Sequence, residues 1–203
     1  MKPNFKASFF IASVLLLVIT SCKKEKVDIN SPAYHIAESE KLVIPAEVDL
    51  PANLPAGNTR VATYYAEGEQ KYKAQVKAGS HPVSYEWIFV APKADLYNSG
   101  NAKVGTHGAG PFWSVPQIQS GMIDSIFAQQ FTPAKTATPA ANSIPWLLLM
   151  PKTGKTPTGI FANVYYIQRI ATTGGKAPAI APLAATDTAD VFYTAVYRFS
   201  KTN

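Results

Sequence analysis

Two segments combine the residue types and spacing that chemistry requires. The first is Gly105-Thr106-His107-Gly108-Ala109-Gly110-Pro111-Phe112-Trp113, in which three glycines surround a histidine and lead to a tryptophan. Glycine lets a backbone take positive φ or pass close to another group. The segment therefore reads as a loop that presents His107 and Trp113 to a ligand. It reads equally as a tight turn with His107 hydrogen-bonded inside the fold and Trp113 in the core. The second segment is Tyr165-Tyr166-Ile167-Gln168-Arg169-Ile170, followed by Thr172-Thr173-Gly174-Gly175. Strand alternation puts Gln168 on the face of Tyr166, and Arg169 on the face of Tyr165 and Ile167. An arginine at the end of so apolar a strand needs a partner. That partner is an anionic or carbonyl-bearing ligand, a loop carbonyl, or an acid such as Asp95. Both segments follow an apolar strand and run soon into glycine, which predicts that His107, Trp113, Gln168 and Arg169 gather at one edge of a β scaffold as a ligand-binding site.

Other chemistries lack their residues, and no catalytic set is complete. Gly154-Lys155-Thr156 has the tail of a phosphate-binding loop, but Leu149 stands where the first glycine is needed and Pro157 blocks the following helix. His35, His81 and His107 are not at ligand spacing, and no cysteine follows Cys22, so no metal site is expected. There is no nucleophile elbow and no glycine-rich dinucleotide turn, so no cofactor is expected.

The elements that must position these residues begin with the N-terminus. Lys2 and Lys6 precede an apolar run from Phe9 to Ile19, and Thr20 and Ser21 lead into Cys22, the single cysteine. A short apolar run behind positive charge is a secretory signal. A spanning helix needs about 20 apolar residues. Ile19-Thr20-Ser21-Cys22 resembles the lipobox of bacterial lipoproteins, which predicts a signal peptide over 1–21 and palmitate-type lipidation at Cys22. Lys23 rather than Asp after the cysteine favours the outer membrane of a Gram-negative envelope. Residues 22–44 read as a flexible tether, because Lys23-Lys24-Glu25-Lys26 is too polar to pack and Asn30-Ser31-Pro32 interrupts local structure. Leu42-Val43-Ile44 is a short strand or a docking segment. The net charge of +6 is spread out and not interleaved with aromatics, so nucleic acid is not an expected partner.

Residues 45–203 read as one β domain. Arg60–Ala66 and Lys71–Val76 alternate as hairpin partners across Gly68. Tyr85–Val90, Ala94–Tyr97 with the turn Asn98-Ser99-Gly100-Asn101, Ile144–Met150, Phe161–Ile170 and Val191–Phe199 supply further strands. Gly121–Gln130 fits a strand better than a short helix. The expected fold is all-β: an antiparallel sandwich or barrel of about seven to nine strands with long Pro/Gly-rich loops.

Five segments together resemble the domain of unknown function DUF3455, found in secreted bacterial and fungal proteins. They are Tyr85–Tyr97 (YEWIFVAPKADLY), Val104–Trp113 (VGTHGAGPFW), Ile144–Leu149 (IPWLLL), Tyr166–Arg169 (YIQR) and Thr173–Pro178 (TGGKAP). The resemblance spans about Val48 to Phe199 and implies no established activity. Some fungal members carry a malate dehydrogenase label, which the missing dinucleotide turn does not support. Cysteines that the resemblance implies near Tyr72-Lys73-Ala74 and in Gly175–Pro182 are absent, which is what loss of one disulfide would leave.

The leading expectation is a non-enzymatic, lipid-tethered envelope domain that binds a small molecule or another envelope component. One alternative is a hydrolase or isomerase with His107 as acid/base and Arg169 as charge stabiliser. The other is a purely structural envelope protein. A cleft joining His107, Trp113 and Arg169 favours the first two, and a buried, fully bonded His107 the third. A second titratable group beside His107 separates enzyme from binder.

Overall fold

The computed structural model describes residues 27–53, 55–138 and 141–203. The expected signal peptide over 1–21 and the expected lipidation site Cys22 lie outside the described residues. Eight strands follow one another as an antiparallel meander: β1 (Asn58–Val76), β2 (Tyr85–Tyr97), β3 (Lys103–Gly108), β4 (Phe112–Pro116), β5 (Ile123–Ala137), β6 (Trp146–Pro151), β7 (Tyr166–Gly174) and β8 (Thr188–Thr202). β8 pairs back onto β1 along nearly its whole length, so the sheet closes into a barrel. Closure removes both sheet edges and lets this chain hold its shape without a disulfide.

The alternation read from the sequence has its reason here. Tyr64 and Ala66 of β1, Trp113 and Val115 of β4, Ile126 and Ala128 of β5, and Tyr193, Ala195, Tyr197 and Phe199 of β8 are buried in one interior cluster. One end of the barrel carries the β2–β3, β4–β5 and β6–β7 connections. The last of these includes a single 3-10 turn, Gly159–Phe161, whose Phe161 is fully buried against Tyr64 and Phe199 and closes that end. The other end carries the β1–β2, β3–β4, β5–β6 and β7–β8 connections.

Two expectations are corrected. Arg60–Ala66 and Lys71–Val76 are not hairpin partners but halves of the single strand β1. Gly68 is no turn: a Cβ there would sit 2.2 Å from the Lys93 carbonyl oxygen, so it is the point where β2 presses onto β1. Second, the expected tether is folded from Ser31 onward. Ser31 caps an α-helix, α1 (Pro32–Ser39), by accepting from the Tyr34 amide, and Pro32 stands in the first turn, where its missing N–H costs nothing. Ile36 packs with Tyr65, Ile170 and Val196 on the outside of the barrel. The buried Arg198 guanidinium donates to the Ser39 carbonyl at 2.7 Å and lies 3.3 Å from Glu40. Ile44 joins this packing without forming a strand. Among the described residues no helix is long and apolar enough to cross a membrane.

Gly121–Gln130 is a strand, as its neighbours suggested, and lies largely within β5. Where the resemblance implied a disulfide, the two segments are joined by a hydrogen bond of 2.6 Å from the Tyr72 hydroxyl to the Gly175 carbonyl.

Candidate functional site

His107 and Trp113 are cross-strand partners on β3 and β4 and both face the barrel interior. The segment is thus two strands around the tight connection Ala109-Gly110-Pro111, rather than a loop. Arg169 on β7 pairs with Leu147 on one side and Tyr197 on the other, and also faces inward. These residues converge on one cavity of about 350 Å³, whose lining also includes Val90, Gln130 and Leu149. Phe89, Val90 and Gln130 on its lining are solvent-exposed, so the cavity reaches the end of the barrel that Phe161 does not close.

Gln168 is not part of it. Its side chain points out of the barrel and donates to the Val48 carbonyl at 2.9 Å, fixing the segment before β1 against β7. The alternation that sends Arg169 inward requires this.

Sheet irregularities shape the cavity. Between β1 and β2 the register slips so that Val90 has no partner, and Val90 is a lining residue. Between β5 and β6 the register jumps from Gln130 to Lys135, leaving residues 131–134 outside the ladder next to the lining residue Gln130. Between β7 and β8 it slips between Ile170 and Thr173, and Ala171 takes φ +50°. Such bulges bend strands and re-aim side chains. Gly175, at φ +80°, then carries the chain across the barrel end, where a Cβ would meet Tyr193 at 2.8 Å and Gln70 at 3.0 Å.

The polar groups are only partly satisfied. His107 is 3% exposed and its ring stacks on Trp113 at 4.4 Å. Its Nδ1 lies 2.9 Å from the Phe112 carbonyl oxygen, which accepts only, so Nδ1 carries the proton and donates. Nε2 is then an acceptor, with no hydrogen-bond partner among the described residues. Burial pushes the His107 pKa down to about 3; the bond to Phe112 opposes this and the Arg169 charge adds to it. His107 is therefore neutral at physiological pH. Arg169 donates through Nε and Nη2 to the Pro145 carbonyl at 3.1 and 2.8 Å, while Nη1 has no partner among the described residues. Asp95, considered as its partner, pairs instead with Lys103 at 2.8 Å. The Trp113 indole N–H is buried without a partner among the described residues, whereas the Tyr193 hydroxyl lies between Tyr197 and Gln70 and the Tyr197 hydroxyl beside Arg169, close to one another but outside good hydrogen-bond geometry. Burial raises both tyrosine pKa values, so both are neutral. Tyr193 and Tyr197 escaped sequence reading because Val191–Phe199 has the alternation of plain core.

The remaining histidines lie elsewhere: His35 stacks on Tyr65 outside the barrel and His81 is exposed in the β1–β2 connection. A wider depression at the closed end is lined by Val104, Val115 and Ile118, and its one charged group, Lys103, is already paired.

A closed eight-stranded antiparallel barrel with a part-polar cavity at one end defines the class of this molecule. The chain belongs to the DUF3455 family, described as a protein of unknown function, whose model matches residues 55–201. No curated protein and no solved structure matches it.

Proposed function

We propose that this chain is a lipid-anchored protein of the bacterial cell envelope, held through Cys22, whose barrel binds a small molecule without transforming it. The observation that carries the reading is the meeting of His107, Trp113, Arg169 and Tyr197 on one cavity, where Arg169 has no acid as partner among the described residues. Charges turned into a protein are usually paired, so a cation that lines a cavity without an acid points to a partner from outside the chain. The lipobox-like Ile19-Thr20-Ser21-Cys22 supports the anchor, and Lys23 supports the outer membrane.

Catalysis by His107 is the weaker reading. An acid/base works best with a pKa near the working pH, and His107 is held far below it. Among the described residues no carboxylate and no second histidine lines the cavity. A purely structural role is favoured by the bonds of His107 to Phe112 and of Arg169 to Pro145. It leaves the Arg169 charge without a counter-ion among the described residues.

The test is native mass spectrometry of the full chain purified from its own cells, beside a Leu147→Trp variant that fills the cavity. A small-molecule adduct on the wild type that is missing from the folded variant is the expected result. The same spectra for both proteins, adduct or none, would sink the binding reading.

A further inference from the structure

The barrel encloses a cation that the chain does not balance. Arg169 forms no salt bridge among the described residues, and its two bonds go to one neutral carbonyl. Among the described residues the cavity around it holds no other charged group: its lining comprises aromatic and aliphatic side chains, two prolines, backbone, one amide and one imidazole. That imidazole stacks on Trp113 and its proton is committed to Phe112, so it brings no competing positive charge. Guanidinium is the most weakly hydrated of the common protein cations and presents its donors as a planar fork suited to a carboxylate. Here Nε and Nη2 are committed to Pro145, which leaves Nη1 for a ligand. The Tyr197 hydroxyl lies beside the guanidinium and adds no charge. The free guanidinium edge is a donor, which is the complement of an anion's oxygens.

We propose that the cavity takes a small monoanion, a carboxylate on a compact apolar or aromatic body, with the carboxylate against Arg169 and the body against Trp113, Leu147 and Leu149. A single guanidinium matches one negative charge. A phosphate would need more positive charge or several backbone amides, and the lining offers neither. At about 350 Å³ the space is at the small end of ligand pockets, which run roughly 300–1,000 Å³, and excludes long acyl chains. This inference rests on the binding reading above and adds to it the charge and size of the ligand.

The experiment uses calorimetric titration of the purified full chain with three probes: sodium benzoate, benzyl alcohol and inorganic phosphate. Benzoate is expected to bind at least tenfold more tightly than either of the others. Arg169→Gln should weaken benzoate binding at least tenfold and so remove that preference. Leu147→Trp, which keeps Arg169 and its bonds to Pro145, should abolish binding of benzoate and of benzyl alcohol, so the proposal stays testable if Arg169→Gln does not fold. Benzyl alcohol binding as tightly as benzoate would overturn the anion assignment and leave the cavity reading standing. Phosphate binding as tightly as benzoate would overturn the apolar body. Benzoate binding that survives Leu147→Trp would overturn the location, and no binding by any probe would overturn both readings.

Discussion

At the scale of single residues the barrel interior sets two demands against each other. His107 and Arg169 each give hydrogen-bond donors to a carbonyl, as structural residues do, yet both line a shared cavity and each keeps a nitrogen without a partner among the described residues. The burial of His107 has a consequence for stability. Its folded pKa, about 3, is below the roughly 6.5 of an exposed histidine. Between those values the unfolded chain binds the proton and the folded chain does not. Stability from this group is therefore complete above about pH 6.5 and falls as the pH drops toward 3. The slope contributed by one such group is at most about 1.4 kcal/mol per pH unit. Urea unfolding of the wild type between pH 7 and pH 4.5 should show this decline, and His107→Gln should flatten it. Parallel curves for the two proteins would mean that His107 is protonated in the folded state. The sequence marked His107, Trp113 and Arg169 because glycine, aromatic and cationic residues stand close together in it. Gln168 was drawn in only by adjacency, and one step along a strand puts it on the opposite side of the wall.

At the scale of elements, most strands were legible, β1, β2 and β8 through apolar residues at every second position and β7 through its aromatic and β-branched residues, although β8 is buried on both faces from Tyr193 to Ser200. The failures share one physical cause, which is that local signals are read without knowing what lies opposite. Gly68 looks like a turn residue until β2 is in place, and Ser31-Pro32 looks like a break until the helix behind it has a surface to pack on. The gathering of the bulges of β2, β5 and β7 around the cavity is a matter of register between strands, which no single strand carries. Gly68 offers a direct check. Adding a Cβ would bring it within 2.2 Å of the Lys93 carbonyl and 2.5 Å of the Ala94 Cα, both backbone atoms that can move only with the strand. Overpacking of this kind typically costs about 1–3 kcal/mol, and backbone contact puts Gly68→Ala at the upper end. At Gly108 a Cβ meets nothing within 4 Å and φ is not positive, so Gly108→Ala should leave the thermal midpoint nearly unchanged. Equal midpoints for the two variants would show that β1 and β2 are not pressed together at Gly68.

At the scale of the whole molecule, the barrel has two unlike ends, and the chain enters at the one away from the cavity. The Ala33 amide donates to Asn101 Oδ1 in the β2–β3 connection, at the end that Phe161 closes. The cavity lies toward the other end, with Gly110 and Pro111 of the β3–β4 connection on its lining. A tether running from Cys22 to the Asp28–Ser31 turn would therefore meet the closed end and leave the cavity facing away from the bilayer, where small solutes arrive. This arrangement depends on lipid at Cys22. One acyl chain gives only marginal, reversible membrane binding, whereas two or more give a stable anchor. Cells supplied with a radiolabelled fatty acid should incorporate label into the wild-type chain, and the labelled chain should sediment with membranes. Cys22→Ser should carry no label and should accumulate as a longer, uncut precursor, because cleavage at a lipobox follows modification of its cysteine. Label persisting on Cys22→Ser would remove the anchor at that residue. A wild-type chain cut before Cys22 but free of label would reduce the N-terminus to an ordinary secretory signal, and the cavity would then belong to a freely diffusing protein.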